Sequence, residues 1–337
     1  MDCYTKKVCE KLEHFGKILN KKADTLYFGG GTPSILGTDR ILEILNISKK
    51  YFKLNNAEIT IEVNPTSKNF LDFEKLYLNG VNRLSIGLQS ANNNELYLLG
   101  RAHTKKIAKN TVKAAQQAGF KNISLDLMLA IQEQTKESLF ESIKFCGNLN
   151  VQHISAYILS VEEGTEYNNN LSKLKLKTED EQSELYLFAC NTLKSFGFNQ
   201  YEISNFCKDG YESKHNLKYW NAEEYLGIGP AAHSFINKKR FYFKNSLQEF
   251  LKDLSFIVDG NGGSEEEYAL LRLRLNAGLT DEDYFKRFKK RIPSNYFYNA
   301  KKYESYGLVK VSDKNSIKLL PEGFLVSNEL ISNIITK

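Results

Sequence analysis

The sequence predicts an α/β fold, in which a curved, mainly parallel β-sheet is followed by a smaller α+β C-terminal module. Three observations support this prediction. Short apolar runs alternate with segments of helical spacing over residues 1–160, glycine-rich or polar turns follow the apolar runs, and helices with a strand pair end the chain. The length of 337 residues allows two domains, or one barrel with an appendage.

Five segments are predicted as strands of this sheet. They recur every 25–40 residues or so, which is typical of βαβ units. The intervening segments 39–52, 105–118 and 136–146 have the spacing of helices. Five units are too few to close an eight-fold barrel, so we expect an open sheet or a partial barrel. The predicted strands are 25–30, 58–63, 83–88, 123–129 and 153–159.

The turns after these strands form the first candidate site, because ligands bind at the carboxyl ends of parallel strands. Gly29–Ser34 has three glycines before a Thr-Pro pair. Backbone N–H groups there can approach a carboxylate, an amino group or a phosphate, although a simple tight turn also explains a glycine. The polar side chains at or beyond the other strand ends are Glu62, Gln89, Arg101 and Asp126. They could hold a zwitterion that carries a ribose, or form a salt-bridge network at the rim.

Residues 166–262 are predicted as a loop-rich region, which begins with a polar linker and a helix at Glu179–Ser195. Long loops rich in glycine and aromatic residues are usually functional. His215 stands five residues before the only tryptophan, Trp220. A neutral imidazole there could ligate haem iron, with Tyr219 and Trp220 packing on the macrocycle. The alternative is an exposed or hydrogen-bonded loop histidine, which is also the interpretation favoured for His103 and His233.

Residues 263–337 are predicted as a small winged-helix-like module. Thr280–Asp283 is typical of a helix N-cap with an acidic first turn, and a strand pair lies around residues 308–320. The basic run 286–291 could contact nucleic acid or form one solvated helix face. The modest net charge of +6 and the adjacent acidic residues favour the solvated face, so no nucleic-acid partner is expected.

Composition excludes several classes of protein. A hydrophobic content of 42% and a charged content of 26% fit a globular chain and exclude long disorder and fibrous repeats. No apolar run is long enough for a membrane span, and no secretory signal is visible. The five cysteines are odd in number and scattered, without a C-x-x-C pair. We therefore expect neither a disulfide framework nor a local metal site, and we expect a reducing cytoplasm.

Taken together, the motifs resemble the radical S-adenosylmethionine proteins of the oxygen-independent coproporphyrinogen III oxidase type, and within them the haem-chaperone branch. The resemblance runs from about residue 25 to the C-terminus. The motifs that carry it occur in the family's order: GGGTPS at 29–34, EVNP at 62–65, NRLSIGLQS at 82–90, RAH at 101–103, HISAYILSVEEGT at 153–165, QYEISN at 200–205, HNLKYW at 215–220 and GIGPAAHSF at 227–235.

The resemblance implies a partial (β/α)6 barrel that here lacks its first strand, with residues 1–165 in the barrel. It implies that Gly30, Gly31 and Thr32 hold the methionine part of S-adenosylmethionine. His215 occupies the histidine of an HNxxYW motif and is implied as the ligand of haem iron. Contacts to the amino acid and ribose of S-adenosylmethionine are implied for Glu62, Gln89, Arg101 and Asp126.

Two departures from the family pattern bear on activity. The family opens with C-x-x-x-C-x-x-C, whose thiolates hold a [4Fe–4S] cluster, and the spacing of Cys3 and Cys9 does not match it. No cluster is expected in this chain as given: either the start lies upstream or the cluster has been lost. The family's Gly-Leu-Pro-Gly-Gln-Thr turn reads AIQEQT at 130–135, which is expected to alter the S-adenosylmethionine pocket.

The sequence therefore predicts a cytoplasmic haem-binding protein that delivers haem to an unidentified receiving protein or buffers it, without radical chemistry. One alternative is a radical enzyme of porphyrin biosynthesis whose cluster-binding segment is missing from this chain. The other is an inactive paralogue that keeps the fold and binds neither ligand. The second axial iron ligand and the oligomeric state stay open.

Overall fold

A computed structural model of the chain describes residues 1–66, 71–161, 168, 175–252, 255–312 and 315–336. The end of the predicted motif at 153–165 and part of the linker at 168–170 lie outside the described residues.

The N-terminal half forms a curled half-barrel sheet, and its five parallel strands match the predicted ones closely. The strands are β1 (Thr25–Phe28), β2 (Glu58–Val63), β3 (Arg83–Gln89), β4 (Ile123–Leu129), β5 (His153–Ile158), β6 (Asn199–Glu202) and β7 (Asn205–Cys207). Their order in the sheet is β1-β2-β3-β4-β5-β7-β6. The last two strands are antiparallel and extend the sheet beyond β5.

Helices follow the parallel strands and cover the sheet. They are α1 (Asp2–Leu19), α2 (Thr38–Phe52), α3 (Phe73–Leu78), α4 (Asn93–Leu98), α5 (Lys105–Gln117), α6 (Lys136–Asn148) and α7 (Glu179–Ser195). Thr135 and Thr178 begin α6 and α7 with capping boxes, in which the threonine hydroxyl accepts a backbone N–H of the first turn. Helix α1, which buries Val8, Leu12 and Phe15, was not predicted from the sequence.

Successive side chains of the parallel strands point to opposite faces of the sheet. In β2, Ile59 and Ile61 are buried in the hydrophobic core, while Thr60 and Glu62 alternate with them and point to the other face. On that second face the polar residues of neighbouring strands lie in register, for example Thr60 with Arg83 and Ser85 with Ser124. The inside of the half-barrel is therefore lined by polar side chains, among them Glu62 and Asp126 of the first candidate site.

The region predicted to be rich in loops contains regular elements. They are α8 (Lys214–Trp220), β8 (His233–Ile236), β9 (Lys239–Tyr242), α9 (Leu247–Lys252) and β10 (Ile257–Asn261). Strands β6 and β7 continue the barrel sheet because Phe206 and Cys207 bury their side chains there. Strands β10, β9 and β8 form a separate antiparallel sheet in that order.

The C-terminal module has the predicted winged-helix-like pattern, in which helices precede a small antiparallel sheet. Its elements are α10 (Glu265–Arg272), β11 (Leu279–Thr280), α11 (Asp281–Phe288), α12 (Ser294–Lys301), β12 (Val309–Ser312), β13 (Ser316–Leu319), α13 (Pro321–Leu325) and α14 (Ser327–Ile335). Thr280 caps α11 by accepting the backbone N–H of Asp283, as predicted. Within the described part of the chain, no helix combines the length and apolar character needed to cross a membrane.

Candidate functional site

The glycine turn after β1 is shaped around Glu62. A Cβ at Gly29 would lie 2.7 Å from Glu62 Oε1, so a larger residue cannot be placed there without a shift. Gly30 has a φ of +82°, a left-handed conformation that favours glycine. Gly31 faces open space and lines a small cleft. Thr32 accepts a hydrogen bond from the Asn64 amide at 3.3 Å, which ties the turn to the end of β2.

The Glu62 carboxylate is held by two donors. Its Oε1 accepts the Tyr27 hydroxyl at 2.9 Å, and its Oε2 accepts the Gly30 N–H at 3.2 Å. Burial raises the pKa of Glu62, while the hydrogen bonds from Tyr27 and Gly30 act against this rise. The carboxylate is thus fixed in orientation and points its acceptors toward the glycine turn.

Asp126 faces Glu62 across the same cleft. Burial raises the pKa of Asp126 to about 6, although the Ser85 hydroxyl donates to its carboxylate at 3.0 Å. The cleft has a volume of about 50 Å³. It is lined by Gly31, Pro33, Glu62, Val63, Asn64, Ser85, Gly87 and Asp126. The structure therefore brings together three of the residues predicted from sequence, namely Gly31, Glu62 and Asp126.

Gln89 and Arg101 lie beside this cleft rather than in its lining. Gln89 is only 4% exposed, has a φ of +66°, and accepts the Tyr157 hydroxyl at 2.9 Å. Burial raises the pKa of Tyr157 to about 12, and the positive charge of Arg101 opposes that rise. Arg101 and Gln89 thus flank Tyr157 at the edge of the barrel that carries Glu62 and Asp126.

The altered turn at 130–135 keeps a backbone suited to glycine. Ala130 has a φ of +61° and Glu133 has a φ of +64°. These are the two positions at which the family pattern has glycine. Gln134 stabilises the turn, since its side-chain oxygen accepts the Ala130 N–H at 2.8 Å and its amide donates to the Met128 carbonyl at 3.2 Å. The loss of the glycines has therefore left the left-handed backbone in place.

The cysteines do not fit an iron–sulfur cluster. Cys3 is exposed on α1, and burial raises the pKa of Cys9 on the same helix to about 11, which keeps it a thiol. Cys146, Cys190 and Cys207 are buried in α6, α7 and β7. Across the ranges that the structure describes, no three histidine, cysteine, aspartate or glutamate side chains are grouped so that they could hold a metal ion.

His215 lies at the opposite end of the barrel, at the amino ends of β1 and β2. Its backbone N–H donates to Glu58 Oε1 at 3.0 Å, and the Lys214 N–H donates to Glu58 Oε2 at 3.2 Å. Ser213 caps the same helix end by accepting the Asn216 N–H. The buried Glu58 carboxylate thus fixes the first turn of α8 on the barrel.

The His215 ring is held on several sides. Its Nδ1 lies 2.9 Å from the Thr25 hydroxyl, and its Nε2 lies 2.9 Å from the Tyr219 hydroxyl. The ring stacks on Tyr27 with centroids 4.9 Å apart. Burial lowers the pKa of His215 to about 4, and the positive charge of Arg83 adds to this. The imidazole is therefore neutral at physiological pH, which is the form that binds a metal.

A large cavity of about 1000 Å³ opens beside His215. This volume lies at the upper end of the range for ligand sites. Its lining includes His215, Thr25 and Tyr225. Tyr219 and Trp220, which were predicted to pack on the haem macrocycle, are not part of the lining. The large apolar side chains that line it instead are Leu12, Leu19, Leu26, Phe52, Leu54, Leu226, Phe235, Ile236 and Phe288.

Three residues around His215 were not predicted from sequence: Thr25, Tyr27 and Glu58. A signal for them exists, because strands of a parallel sheet that is covered on both faces are usually near-continuous apolar runs. Polar residues at alternate positions of TLYF and EITIEV therefore indicate a polar interior.

The other two candidate histidines, His103 and His233, lie outside the lining of the large cavity. His103 is buried and its Nε2 lies 3.1 Å from the Leu88 carbonyl oxygen, while burial lowers its pKa. His233 stacks on Tyr242 with centroids 4.9 Å apart and does not line the large cavity.

The basic run in the C-terminal module is engaged within the chain. Lys290 pairs with Glu265 at 2.6 Å, and Arg291 pairs with Asp281. Arg287 donates to the backbone carbonyl of Ala222 at 2.8 Å. These three cationic side chains of the run therefore have partners within the chain.

Comparisons with known proteins agree with this geometry. Residues 4–146 match the model of the radical SAM superfamily. The chain is 30% identical over 344 residues to the heme chaperone HemW of Lactococcus lactis, covering 99% of this chain and 90% of that protein. It is 31% identical over 318 residues to the heme chaperone HemW of Bacillus subtilis, covering 91% and 84%.

Among solved structures, coproporphyrinogen III oxidase HemN of Escherichia coli, a radical SAM enzyme, has a TM-score of 0.81 at 20% identity. That match covers 99% of this chain and 83% of HemN, so the two share the fold. The sequence relatives extend over nearly the whole chain at 30% identity or more. The chain therefore belongs to the HemW family within the radical SAM superfamily.

Proposed function

We propose that this protein binds haem in the large cavity, with His215 as a ligand of the iron, and that it buffers haem or delivers it to a receiving protein. The observation that carries the proposal is that the His215 ring lies in the wall of a cavity of about 1000 Å³ with many large apolar side chains in its lining. The names of the relatives point the same way, since both are heme chaperones.

The residues around His215 suit this role. A histidine that binds metal through one ring nitrogen usually makes a hydrogen bond through the other, which fixes the tautomer. Thr25 supplies such a partner for Nδ1, and this leaves Nε2 as the iron ligand once the Tyr219 hydroxyl moves aside. Haem bound here would supply an iron centre, while Leu26, Phe52 and other apolar side chains would exclude water from the macrocycle.

The receiving protein and the compartment belong to the same proposal. A chaperone must release its cargo to a second protein, whose identity the sequence does not give. We place the protein in the cytoplasm, because all five cysteines are free thiols and a reducing compartment keeps them so.

A haem titration followed by the Soret band tests the proposal. The unchanged chain should show saturable binding, and His215→Ala should abolish it. His233→Ala is the matched control, because that histidine also stacks on a tyrosine but lies outside the cavity lining. Equal binding by all three proteins would refute the role of His215, and no specific binding by the unchanged chain would support an inactive paralogue.

A second candidate function is binding of S-adenosylmethionine, which the glycine turn and the cleft favour. Gly30, Gly31 and Thr32 would hold the methionine part, because Gly31 leaves open space in the cleft lining. S-adenosylmethionine bound there would supply a sulfonium and an adenosyl group. The contacts to its amino acid and ribose would come from Glu62, Gln89, Arg101 and Asp126.

The test for this second function does not need a cluster. Calorimetric titration of the chain with S-adenosylmethionine should give saturable binding that Gly31→Val weakens, because the added side chain would fill the open space at the turn. The described cysteines give no cluster site, so no 5′-deoxyadenosine should form under reducing conditions. Formation of that product would favour the radical enzyme instead.

A further inference from the structure

The lining of the large cavity carries an excess of positive charge. Among the described residues, six cationic side chains line it against three acidic ones, a net charge of +3. The cations are Lys21, Lys22, Lys53, Lys218, Lys238 and Arg287, and the acids are Asp24, Glu223 and Glu224. Which of these cations are available to a ligand depends on how each is paired.

All three acids form ion pairs with two of the lysines. Lys218 donates to Asp24 at 2.6 Å and to Glu223 at 2.7 Å. Lys21 pairs with Glu224 and also donates to the side chain of Asn237 at 3.4 Å. These pairs join the loop before β1 to the segment between α8 and β8 and to the β8–β9 turn.

Arg287 is also committed to the fold. Its guanidinium donates to the carbonyl oxygens of Asn221 and Ala222 at 3.2 and 2.8 Å. It also lies over the Tyr268 ring, 4.9 Å from the centroid. Arg287 therefore closes one wall of the cavity rather than offering a free charge.

Three cationic residues of the cavity lining remain to be considered, Lys22, Lys53 and Lys238. Within the described part of the chain, none of their ammonium groups takes part in a hydrogen bond or an ion pair, and all three residues are exposed. The Ala23 N–H donates to the Phe52 carbonyl at 2.9 Å, which places Lys22 and Lys53 on adjoining backbone segments. Lys238 stands in the tight turn between β8 and β9, at a φ of +61°.

We propose that Lys22, Lys53 and Lys238 bind the propionate carboxylates of the porphyrin and so select a macrocycle with free acid groups. The inference rests on the proposed haem function and assigns the polar end of the same site. Haem is an apolar disc with two carboxylates on one edge. The cavity offers an apolar wall for the disc, His215 for the iron, and three free ammonium groups for the carboxylates.

The test compares haem with haem dimethyl ester, in which both propionates are neutral. Binding is followed by the Soret band in the unchanged chain and in the triple variant Lys22→Gln, Lys53→Gln, Lys238→Gln. Each exposed charge pair contributes little to the binding free energy, so all three lysines are replaced together. The triple variant should bind haem at least about tenfold more weakly than the unchanged chain. The triple variant should bind the ester with the affinity of the unchanged chain. Added salt should weaken the binding of haem to the unchanged chain but not the binding of its ester.

The matched control is Lys106→Gln, Lys109→Gln, Lys113→Gln, which removes the same charge from exposed positions on α5. A triple arginine variant at positions 22, 53 and 238 keeps the charge and should keep the affinity. Equal loss of haem and ester binding, or no loss, would overturn the proposal. Absence of any His215-dependent Soret band in the unchanged chain would instead overturn the proposed function, and this inference with it.

Discussion

The aromatic ring of Tyr27 stacks on the imidazole of His215, with ring centroids 4.9 Å apart and planes 20° from parallel. The hydroxyl of the same tyrosine donates to Glu62 in the cleft at the other end of the strand. One side chain of β1 therefore contacts both candidate sites. It follows that the cleft and the cavity are built on a common strand, and that substitutions in β1 affect both.

The hydrogen bond between Thr25 and His215 leads to the first prediction. Thr25→Val keeps the size of the side chain but removes the hydroxyl that lies 2.9 Å from Nδ1. Loss of such a partner usually costs 10–100-fold in metal affinity, so we expect haem to bind about tenfold more weakly. A Soret titration measures this.

Thr60→Val is its matched control. Thr60 is buried on the neighbouring strand of the same sheet, and its hydroxyl has no partner among the described residues. Its removal should leave haem affinity unchanged. If both variants bound haem as the unchanged chain does, Thr25 would have no part in presenting the imidazole.

The contact between Tyr219 and His215 leads to a prediction of opposite sign. The Tyr219 hydroxyl lies 2.9 Å from Nε2 and would have to leave before iron binds there. Tyr219→Phe removes this competing hydrogen bond, so haem affinity should rise about 2–10-fold. Tyr242→Phe serves as control, since that tyrosine also contacts a histidine ring, but the ring is that of His233. Loss of binding in Tyr219→Phe would mean that the tyrosine itself holds the iron.

The sequence predicted the barrel strands well because their pattern is local. Predicted and observed bounds coincide for Glu58–Val63 and Ile123–Leu129. The carboxyl-end rule also predicted that Gly31, Glu62 and Asp126 would meet; Gly31 follows β1 and Glu62 lies near the end of β2, whereas Asp126 lies within β4. Local periodicity and one topological rule were sufficient for this half of the molecule.

The surroundings of His215 could not be predicted in the same way. Thr25 is 190 residues away from His215 along the chain, and no local pattern specifies that contact. Helix α1, in contrast, has a local signal that the prediction missed, because its buried apolar residues Val8, Leu12 and Phe15 recur at i, i+4 and i+7. Tertiary packing alone brings Thr25 to His215, and the polar residues at alternate positions of β1 and β2 are the only local indication of it.

The pKa of His215 gives a prediction that can be tested without haem. Burial and the positive charges of Arg83 and Lys218 favour the neutral ring, whereas Asp24 favours the charged one. The ring should titrate near pH 4 rather than near the ordinary value of 6.5. NMR of the histidine ring protons measures this, with His215→Gln to assign the signal.

The sign for stability follows from the same shift. As the pH falls from about 6.5 toward 4, His215 binds a proton in the unfolded chain but not in the folded one. The free energy of unfolding therefore decreases over this range. His215→Gln should remove this part of the pH dependence. A midpoint for the ring near 6.5 would contradict both statements.

Asp126 gives a prediction about stability whose pH dependence is opposite to that of His215. Its pKa is raised to about 6 by burial, so the ionised carboxylate destabilises the fold at neutral pH. Asp126→Asn should raise the free energy of unfolding at pH 7 by about 1–3 kcal/mol. The difference should shrink as the pH falls from 6 and vanish below about 4, because the wild-type acid is then protonated in both states.

Urea unfolding at a series of pH values checks this. Asp180→Asn is the control, since that residue is exposed in the first turn of α7. A gain that did not vary with pH would assign the effect to the amide rather than to the buried charge.

The turn at 130–135 supplies the last prediction. Glu133 is exposed and holds a φ of +64°, which costs an L-residue roughly 1 kcal/mol relative to glycine. Glu133→Gly should therefore stabilise the fold by about that amount, less the small contribution of the hydrogen bond from Asn94 at 3.2 Å. Glu137→Gly, in the first turn of α6 nearby, should instead destabilise it by up to about 1 kcal/mol, because glycine is a poor helix former. Thermal and urea unfolding of both variants measure the contrast. If Glu133→Gly lowered stability, the backbone of this turn would not be left-handed at that position, and the turn would differ from the glycine-containing turn of the family.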